Sequence, residues 1–127
     1  MAPSRLARIR TICLALPEAV EKPFGGHLSA PAFRVRDKFF VMCSEDGGSL
    51  NLKAPEGVQA LLVASDADRF FVPKYVGPKG WVGVRLDLAQ APDWNEVTDM
   101  IHESYCLIAP RRLVASWEAG RGLRPKG

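Results

Sequence analysis

Three short apolar runs between residues 27 and 53 form the clearest pattern in this chain. They occupy residues 32–35, 39–43 and 50–53, and two turn-like segments at residues 36–38 and 45–48 separate them. Short runs of this kind, joined by turn residues, predict antiparallel strands connected as hairpins. In the first and third runs apolar and polar positions alternate, so we expect a meander with one apolar face and one basic face.

Apolar positions at three- and four-residue spacing predict helices near both ends of the chain. Ser4 is a candidate N-cap for a helix that runs to about Leu16, where Pro17 stops it. The strongest helical pattern spans residues 93–109 and opens with a capping box, Asp93-Trp94-Asn95-Glu96. A shorter helix is expected from Pro55 to about residue 64. Further helix is expected after Pro110, through Leu113, Val114 and Trp117.

The order of elements predicts an α+β fold. Further strands are expected at residues 69–72 and 81–86, so helices and strands alternate as in a two-layer sandwich, an antiparallel sheet with its helices on one face. We expect one domain over residues 1–119 and a flexible basic tail over residues 120–127. Trp94 and Tyr105 should be at least half-buried, and the predicted core is Leu6, Ile9, Leu16, Phe33, Val35, Val41, Leu50, Leu52, Leu61, Val82, Val84, Leu86, Val97, Ile101 and Ile108.

Composition narrows the class of protein. The chain has 127 residues, a formal net charge of +3 and 47% hydrophobic residues, which is typical of a small globular domain. No apolar run approaches the roughly 20 residues of a membrane helix, and no signal peptide is expected. Three widely spaced cysteines favour reduced thiols. These features together predict a cytoplasmic location.

Several short motifs resemble the MmcQ/YjbR-like family in their order and spacing. They are Pro31-Ala32-Phe33-Arg34-Val35, Lys38-Phe39-Phe40, Leu50-Asn51-Leu52-Lys53, Gly80-Trp81-Val82, Glu103-Ser104-Tyr105 and Ala109-Pro110-Arg111-Arg112. The resemblance implies a frataxin/CyaY-like sandwich and, as described for some members, a "double wing" DNA-binding arrangement of hairpins. The chain departs from the commoner pattern in a longer loop after Gly26, and its second hairpin tip is acidic, with Glu45 and Asp46.

The basic sheet face is the leading candidate site. The cations expected to neutralise DNA phosphates are Arg34, Arg36, Lys38, Lys53 and Arg85, and the basic stretch from Arg111 would add affinity. Phe40 and Trp81 are expected to supply aromatic surface for stacking. Alternatively, the same residues form only a solvated face that keeps the protein soluble.

A second interpretation is a module that binds an anionic metabolite or a protein. Its candidate residues are His27, Lys74, Tyr75, Lys79 and Trp81, with Trp81 at the floor of a pocket. A small enzyme would need His27 close to Glu18 or Glu21. No nucleophile–base pair, metal-ligand cluster or phosphate loop is present in the sequence, so no catalytic residue, metal or cofactor is predicted. The sequence leaves the oligomeric state open.

Overall fold

A computed structural model describes residues 4–23 and 30–121 as one six-stranded antiparallel sheet with four α-helices. Within these ranges no helix is both long enough and apolar enough to span a membrane. In chain order the elements are α1 (Arg5–Leu14), β1 (Val20–Glu21), β2 (Ala32–Val35), β3 (Lys38–Cys43), β4 (Ser49–Lys53), α2 (Val58–Ser65), β5 (Phe70–Phe71), a 3₁₀ turn (Gly77–Lys79), β6 (Trp81–Arg85), α3 (Trp94–Ile108) and α4 (Arg111–Gly120).

The strands are arranged in the order β1-β2-β3-β4-β6-β5, and every neighbouring pair is antiparallel. One row of cross-strand partners runs through Phe33, Val41, Leu52 and Val82, and all four side chains are at most 1% exposed. Both α1 and α3 contribute buried residues to the same core. The predicted α+β fold and the predicted meander are therefore confirmed.

The core depends on an irregularity in β3 that alternation does not predict. The pairing of β2 with β3 shifts between Phe33 and Arg34, which leaves Phe40 as the extra residue of a β-bulge. Phe40 and Val41 are consecutive, yet both are completely buried. The Phe40 ring meets the Tyr105 ring edge-on, with 5.5 Å between their centroids.

Ser104 of α3 compensates for the disturbed pairing. In the β3–β4 register the next pair after Val41 and Leu52 would be Phe40 and Lys53. The Ser104 hydroxyl instead joins these two strands, because it donates to the Phe40 carbonyl at 2.7 Å and accepts from the Lys53 N–H at 2.9 Å. Ser104 is completely buried, so two backbone groups that would be costly to leave unpaired depend on it.

The caps of the two long helices confirm the predicted starting points. Ser4 accepts from the Ala7 N–H, and Asp93 accepts from the N–H groups of Asn95 and Glu96. The Glu96 carboxylate lies 2.7 Å from Arg69 Nη2, and this ion pair ties the start of α3 to the residue before β5. The N-cap half of the predicted capping box is confirmed, whereas Glu96 serves a tertiary contact.

Most of the predicted core is buried, but three expectations were wrong. Leu61 is 70% exposed, because α2 packs Val58, Leu62 and Val63 towards the core. This helix begins at Val58 and not at Pro55, after Gly57 with a φ of 83°. Phe40 and Trp81 add no aromatic surface to the open face, since they are 0% and 5% exposed.

The final helix covers the predicted positions through Trp117 and continues to Gly120. It folds back on α3 through Trp117, whose ring centroid lies 4.8 Å from that of His102 and 5.9 Å from that of Tyr105. The Arg121 guanidinium lies 4.4 Å above Trp117. Within the described part of the chain α4 has no fully buried residue, so its docking depends on this aromatic cluster together with Leu113 and Val114, which pack partly buried against the core.

Replacing Ser104 should test how strongly its hydroxyl supports the sheet. We expect Ser104→Ala to lower the free energy of unfolding by about 2–4 kcal/mol, because two buried backbone groups lose their partner. Urea denaturation measures this. The control is Ser65→Ala, which removes only a local bond to the Leu62 carbonyl at the exposed end of α2 and should cost less than about 1 kcal/mol. Equal losses in the two variants would contradict the role of Ser104.

The docking of α4 should weaken in acid through His102. Burial, and then the neighbouring Arg121, lower the pKa of His102 below its ordinary value of 6.5, while Asp99 opposes the shift. The unfolded chain therefore binds a proton before the folded chain does, and stability is lost as pH falls from about 6.5 towards the folded pKa. Urea denaturation at several pH values should show this loss, and His102→Gln should reduce it. An unchanged profile in His102→Gln would contradict the assignment.

Candidate nucleic-acid interface

Arg34 belongs to the framework of the protein. Its Nε and Nη2 atoms donate to the carbonyls of Lys22 and Pro23 at 3.1 and 3.2 Å, and its Nη1 lies 3.1 Å from the Asp37 carboxylate. The guanidinium also lies 4.0 Å from the centroid of the Phe39 ring. Only 14% of the side chain is exposed. These contacts hold the chain after β1 against β2 and leave Arg34 little capacity for an external phosphate.

Arg36 is exposed but already paired. It occupies the β2–β3 turn with a φ of 50°, and its Nε and Nη2 atoms contact the two Glu18 oxygens at 2.6 and 2.9 Å. This hydrogen-bonded pair lowers the pKa of Glu18 from its ordinary value. A phosphate would have to compete with a bidentate carboxylate for this guanidinium.

Arg85 lies far from Lys53. Lys53 pairs with Trp81 at the start of β6, and Arg85 follows four residues later, which corresponds to about 13 Å along a strand. The Arg85 Nη1 atom donates to the Asp68 carbonyl at 3.0 Å, and its guanidinium lies 4.6 Å from the Phe71 ring centroid. The five sequence-predicted phosphate contacts therefore do not form one cluster.

A different set of cations gathers at one end of the sheet. This is the end where β3 begins with Lys38, where β4 ends with Lys53, and where Lys79 precedes β6. The Lys53 ammonium group donates to the Lys79 carbonyl at 3.0 Å, which holds these two segments together. Lys74 follows β5 towards the same end, since β5 runs antiparallel to β6.

The connection from α3 to α4 adds two arginines to this end. The helix α3 ends at the same place as Lys53. The Ser104 hydroxyl accepts a hydrogen bond from the Lys53 N–H, and Leu107 lines a surface groove that Lys53 also lines. Arg111 and Arg112 open α4 immediately afterwards and are exposed. We call this set the basic end; it comprises Lys38, Lys53, Lys74, Lys79, Arg111 and Arg112.

The opposite end of the sheet is acidic. Asp46 and Asp87 border one shallow depression there together with Arg85, and Asp66 and Asp93 border another, again with Arg85. Across residues 4–23 and 30–121, no member of the basic end has a carboxylate within salt-bridge distance. Of the carboxylates near the basic end, Asp37 is paired with Arg34 and Glu18 with Arg36. Opposite charges are thus separated along the strand direction.

A groove of about 380 Å³ opens at the basic end. Its lining includes Lys53, Lys79 and Leu107, together with one acidic residue, Glu56. Lys74 is exposed and Tyr75 is 91% exposed, whereas buried Trp81 does not line the groove. Of the second predicted ligand set, Lys79 therefore lines the groove, Lys74 and Tyr75 are exposed but not part of its lining, and Trp81 does not form its floor.

The small-enzyme interpretation depends on His27. His27 lies outside the described residues, so the expectation that it lies close to Glu18 or Glu21 stays a prediction. Burial raises the pKa of Cys43 to about 12 and raises that of Cys13 as well, which keeps both as unreactive thiols. Within residues 4–23 and 30–121, no three His, Cys, Asp or Glu side chains come together as a metal site.

The fold and the sequence motifs together define the class of protein. The YjbR family model matches residues 14–107, and the chain belongs to the YjbR family. A solved structure similar to this chain is the crystal structure of Deinococcus radiodurans protein DR2400, assigned to the domain family DUF419. It is 19% identical with a TM-score of 0.72, and the match covers 95% of this chain and 90% of that one. At that identity the likeness shows a shared fold. No functionally curated protein matches the chain.

The different roles of Arg34 and Lys38 can be measured as stability. Arg34→Ala should lower the free energy of unfolding by about 1–3 kcal/mol, because the Lys22 and Pro23 carbonyls lose a charged donor. Lys38→Ala removes an exposed side chain and should change it by less than about 0.5 kcal/mol. Denaturant titration of both variants gives the comparison. If Arg34→Ala is as stable as Lys38→Ala, Arg34 is available for a ligand after all.

Proposed function

We propose that this protein binds DNA without catalysis and largely without regard to sequence, through phosphate contacts at the basic end. The observation that carries this proposal is the separation of charge. Six cations without a carboxylate partner in the described residues occupy one end of the sheet, and carboxylates gather at the other. A polyanion is attracted to the first end and repelled by the second, so it approaches in one orientation.

The two hairpins take unequal parts in this proposal. The β2–β3 hairpin places Lys38 at the basic end, whereas the β3–β4 hairpin carries Glu45 and Asp46 to the acidic end. Asp46 is held ionised, because its hydrogen bonds with the Gly48 N–H and the Ser44 hydroxyl lower its pKa. A winged arrangement in this chain would therefore use the first hairpin and keep the second away from the phosphates.

The expected affinity follows from the number of contacts. Sequence-independent binding through phosphates typically has a Kd on the order of 10⁻⁴–10⁻⁶ M at physiological salt. If all six cations each contact one phosphate of a duplex, the logarithm of the binding constant should fall with the logarithm of salt with a slope of about −5. Phosphate contacts carry no sequence information by themselves, so binding that depends on them favours weak sequence preference.

A small anion is the second candidate ligand. The groove between Lys53 and Lys79 is large enough for a metabolite-sized molecule, and both ammonium groups belong to residues that line it. A small ligand would displace few counterions, so its binding would depend much less on salt than binding to duplex DNA.

Fluorescence anisotropy with a labelled duplex, its single strand and a salt series tests the proposal. The variant Lys38→Ala/Lys79→Ala should bind more weakly, and its salt slope should be shallower by about 2. The control, Arg5→Ala/Arg8→Ala, loses the same net charge at a depression beside Leu86 and Trp94, outside the basic end, and should keep the slope to within about 0.5.

Three results would contradict the proposal. The first is no binding of the wild-type protein to either nucleic acid at low salt. The second is an equal loss of affinity in the two double variants, which would show that binding depends only on net charge. The third is duplex binding with a slope near zero. In that case, competition by small phosphorylated compounds would favour the second candidate ligand.

A further inference from the structure

The surface of α2 lacks the polar residues that usually face water on a short helix. Its sequence, Val58-Gln59-Ala60-Leu61-Leu62-Val63-Ala64-Ser65, contains no charged residue, and none of these residues is fully buried. Ala60 and Ala64 are exposed, and Leu61 is 70% exposed. A surface helix that borders water normally carries charged residues on its outer face. The outer face of α2 is therefore suited to a protein contact.

Exposed apolar side chains also occur in the segment beside α2. The Gln59 side-chain amide donates to the Gly77 carbonyl at 2.8 Å, which places the chain after β5 alongside the helix. In that segment Val72 is 56% exposed and Tyr75 is 91% exposed. Exposed tyrosines are enriched where one protein contacts another, because they bury a large apolar ring and keep a polar tip.

Charges of opposite sign lie at the two ends of the helix. Gly57, just before α2, shares the groove at the basic end with Lys79, and Lys74 lies in the adjoining loop. Beyond the other end of α2, Asp66 and Asp68 are exposed in the turn that leads to β5. The helix thus runs from a lysine-rich end to an aspartate-rich end with an uncharged surface between them.

We propose that this surface, which comprises the outer face of α2 with Val72 and Tyr75, is the contact between two copies of the chain in a twofold-symmetric dimer. A twofold axis across the middle of α2 makes the two helices antiparallel. Lys74 of each copy then faces Asp68 of the other, while the uncharged helix faces cover one another. The surface is therefore complementary in charge to a second copy of itself. A partner of uniform charge would match only one of its two ends.

Pairing of the outer strands is the less favourable way to join two copies. β5 has only two residues, and its Phe70 N–H already donates to the Asp66 carbonyl at 2.9 Å. Pro73 follows shortly afterwards and has no N–H to offer a neighbouring strand. The contact therefore rests on helix packing. An eight-residue helix is only about 12 Å long, so the interface is small and the dimer is weak.

Sedimentation velocity without nucleic acid, from about 5 to about 500 µM protein, tests the dimer. The wild-type protein should shift from monomer to dimer within this range. Leu61→Asp should stay monomeric throughout, whereas Leu14→Asp, at an exposed leucine of α1, should dimerise like the wild type. Monomeric wild type at every concentration, or unchanged dimerisation of Leu61→Asp, would overturn the proposal.

A charge exchange tests the antiparallel arrangement. Lys74→Asp and Asp68→Lys should each weaken self-association by about tenfold or more, because residues 68 and 74 of facing copies then carry the same sign. An equimolar mixture of these two variants should dimerise again, since every facing pair is once more opposite in sign. A mixture no more associated than either variant alone would overturn the arrangement. These measurements contain no DNA, so their failure would leave the proposed function untouched.

Discussion

The hydroxyl of Ser104 is the contact on which the arrangement of this protein most depends. The β-bulge at Phe40 shifts the pairing of β2 with β3, and the pairing of the two central strands, β3 and β4, ends at Val41 and Leu52. Beyond that pair, Ser104 satisfies the carbonyl of Phe40 and the N–H of Lys53 from the neighbouring layer. One residue later, Tyr105 donates to the Pro17 carbonyl at 2.9 Å. Two consecutive residues of α3 therefore fix that helix both to the sheet and to the segment after α1, so the layers cannot slide independently.

This anchoring also determines where the charges lie. Because Ser104 fixes α3 at Lys53, α3 ends beside the groove at the basic end, and Arg111 and Arg112 begin the next helix there. The bond from Lys53 to the Lys79 carbonyl brings the loop before β6 to the same place. Ser104 takes the place of one backbone hydrogen bond between β3 and β4. In this way a core residue helps to bring cations from four separate segments to one surface.

The sequence predicted the elements well because burial on one face leaves a simple periodicity. It could not predict the bulge, since two consecutive buried residues in β3 look like an ordinary apolar run. It also could not distinguish the internally bonded Arg34 from the exposed Lys38. The carbonyls that accept from Arg34 belong to residues 22 and 23, which follow the neighbouring strand β1. Leu61 was assigned to the core by helical spacing, but α2 packs Val58, Leu62 and Val63 inwards. Such distinctions depend on tertiary neighbours that spacing does not encode.

The central claim is that charge separated along the sheet confines DNA to one end of the molecule. Amide chemical-shift changes in a ¹⁵N-labelled sample titrated with a short duplex would test it most directly, residue by residue. The account predicts that the largest changes lie around Lys38, Lys53, Lys79 and Arg111, with little change near Asp46 and Asp87. Changes centred on Arg85 and the open sheet face, or spread evenly over both ends, would contradict it.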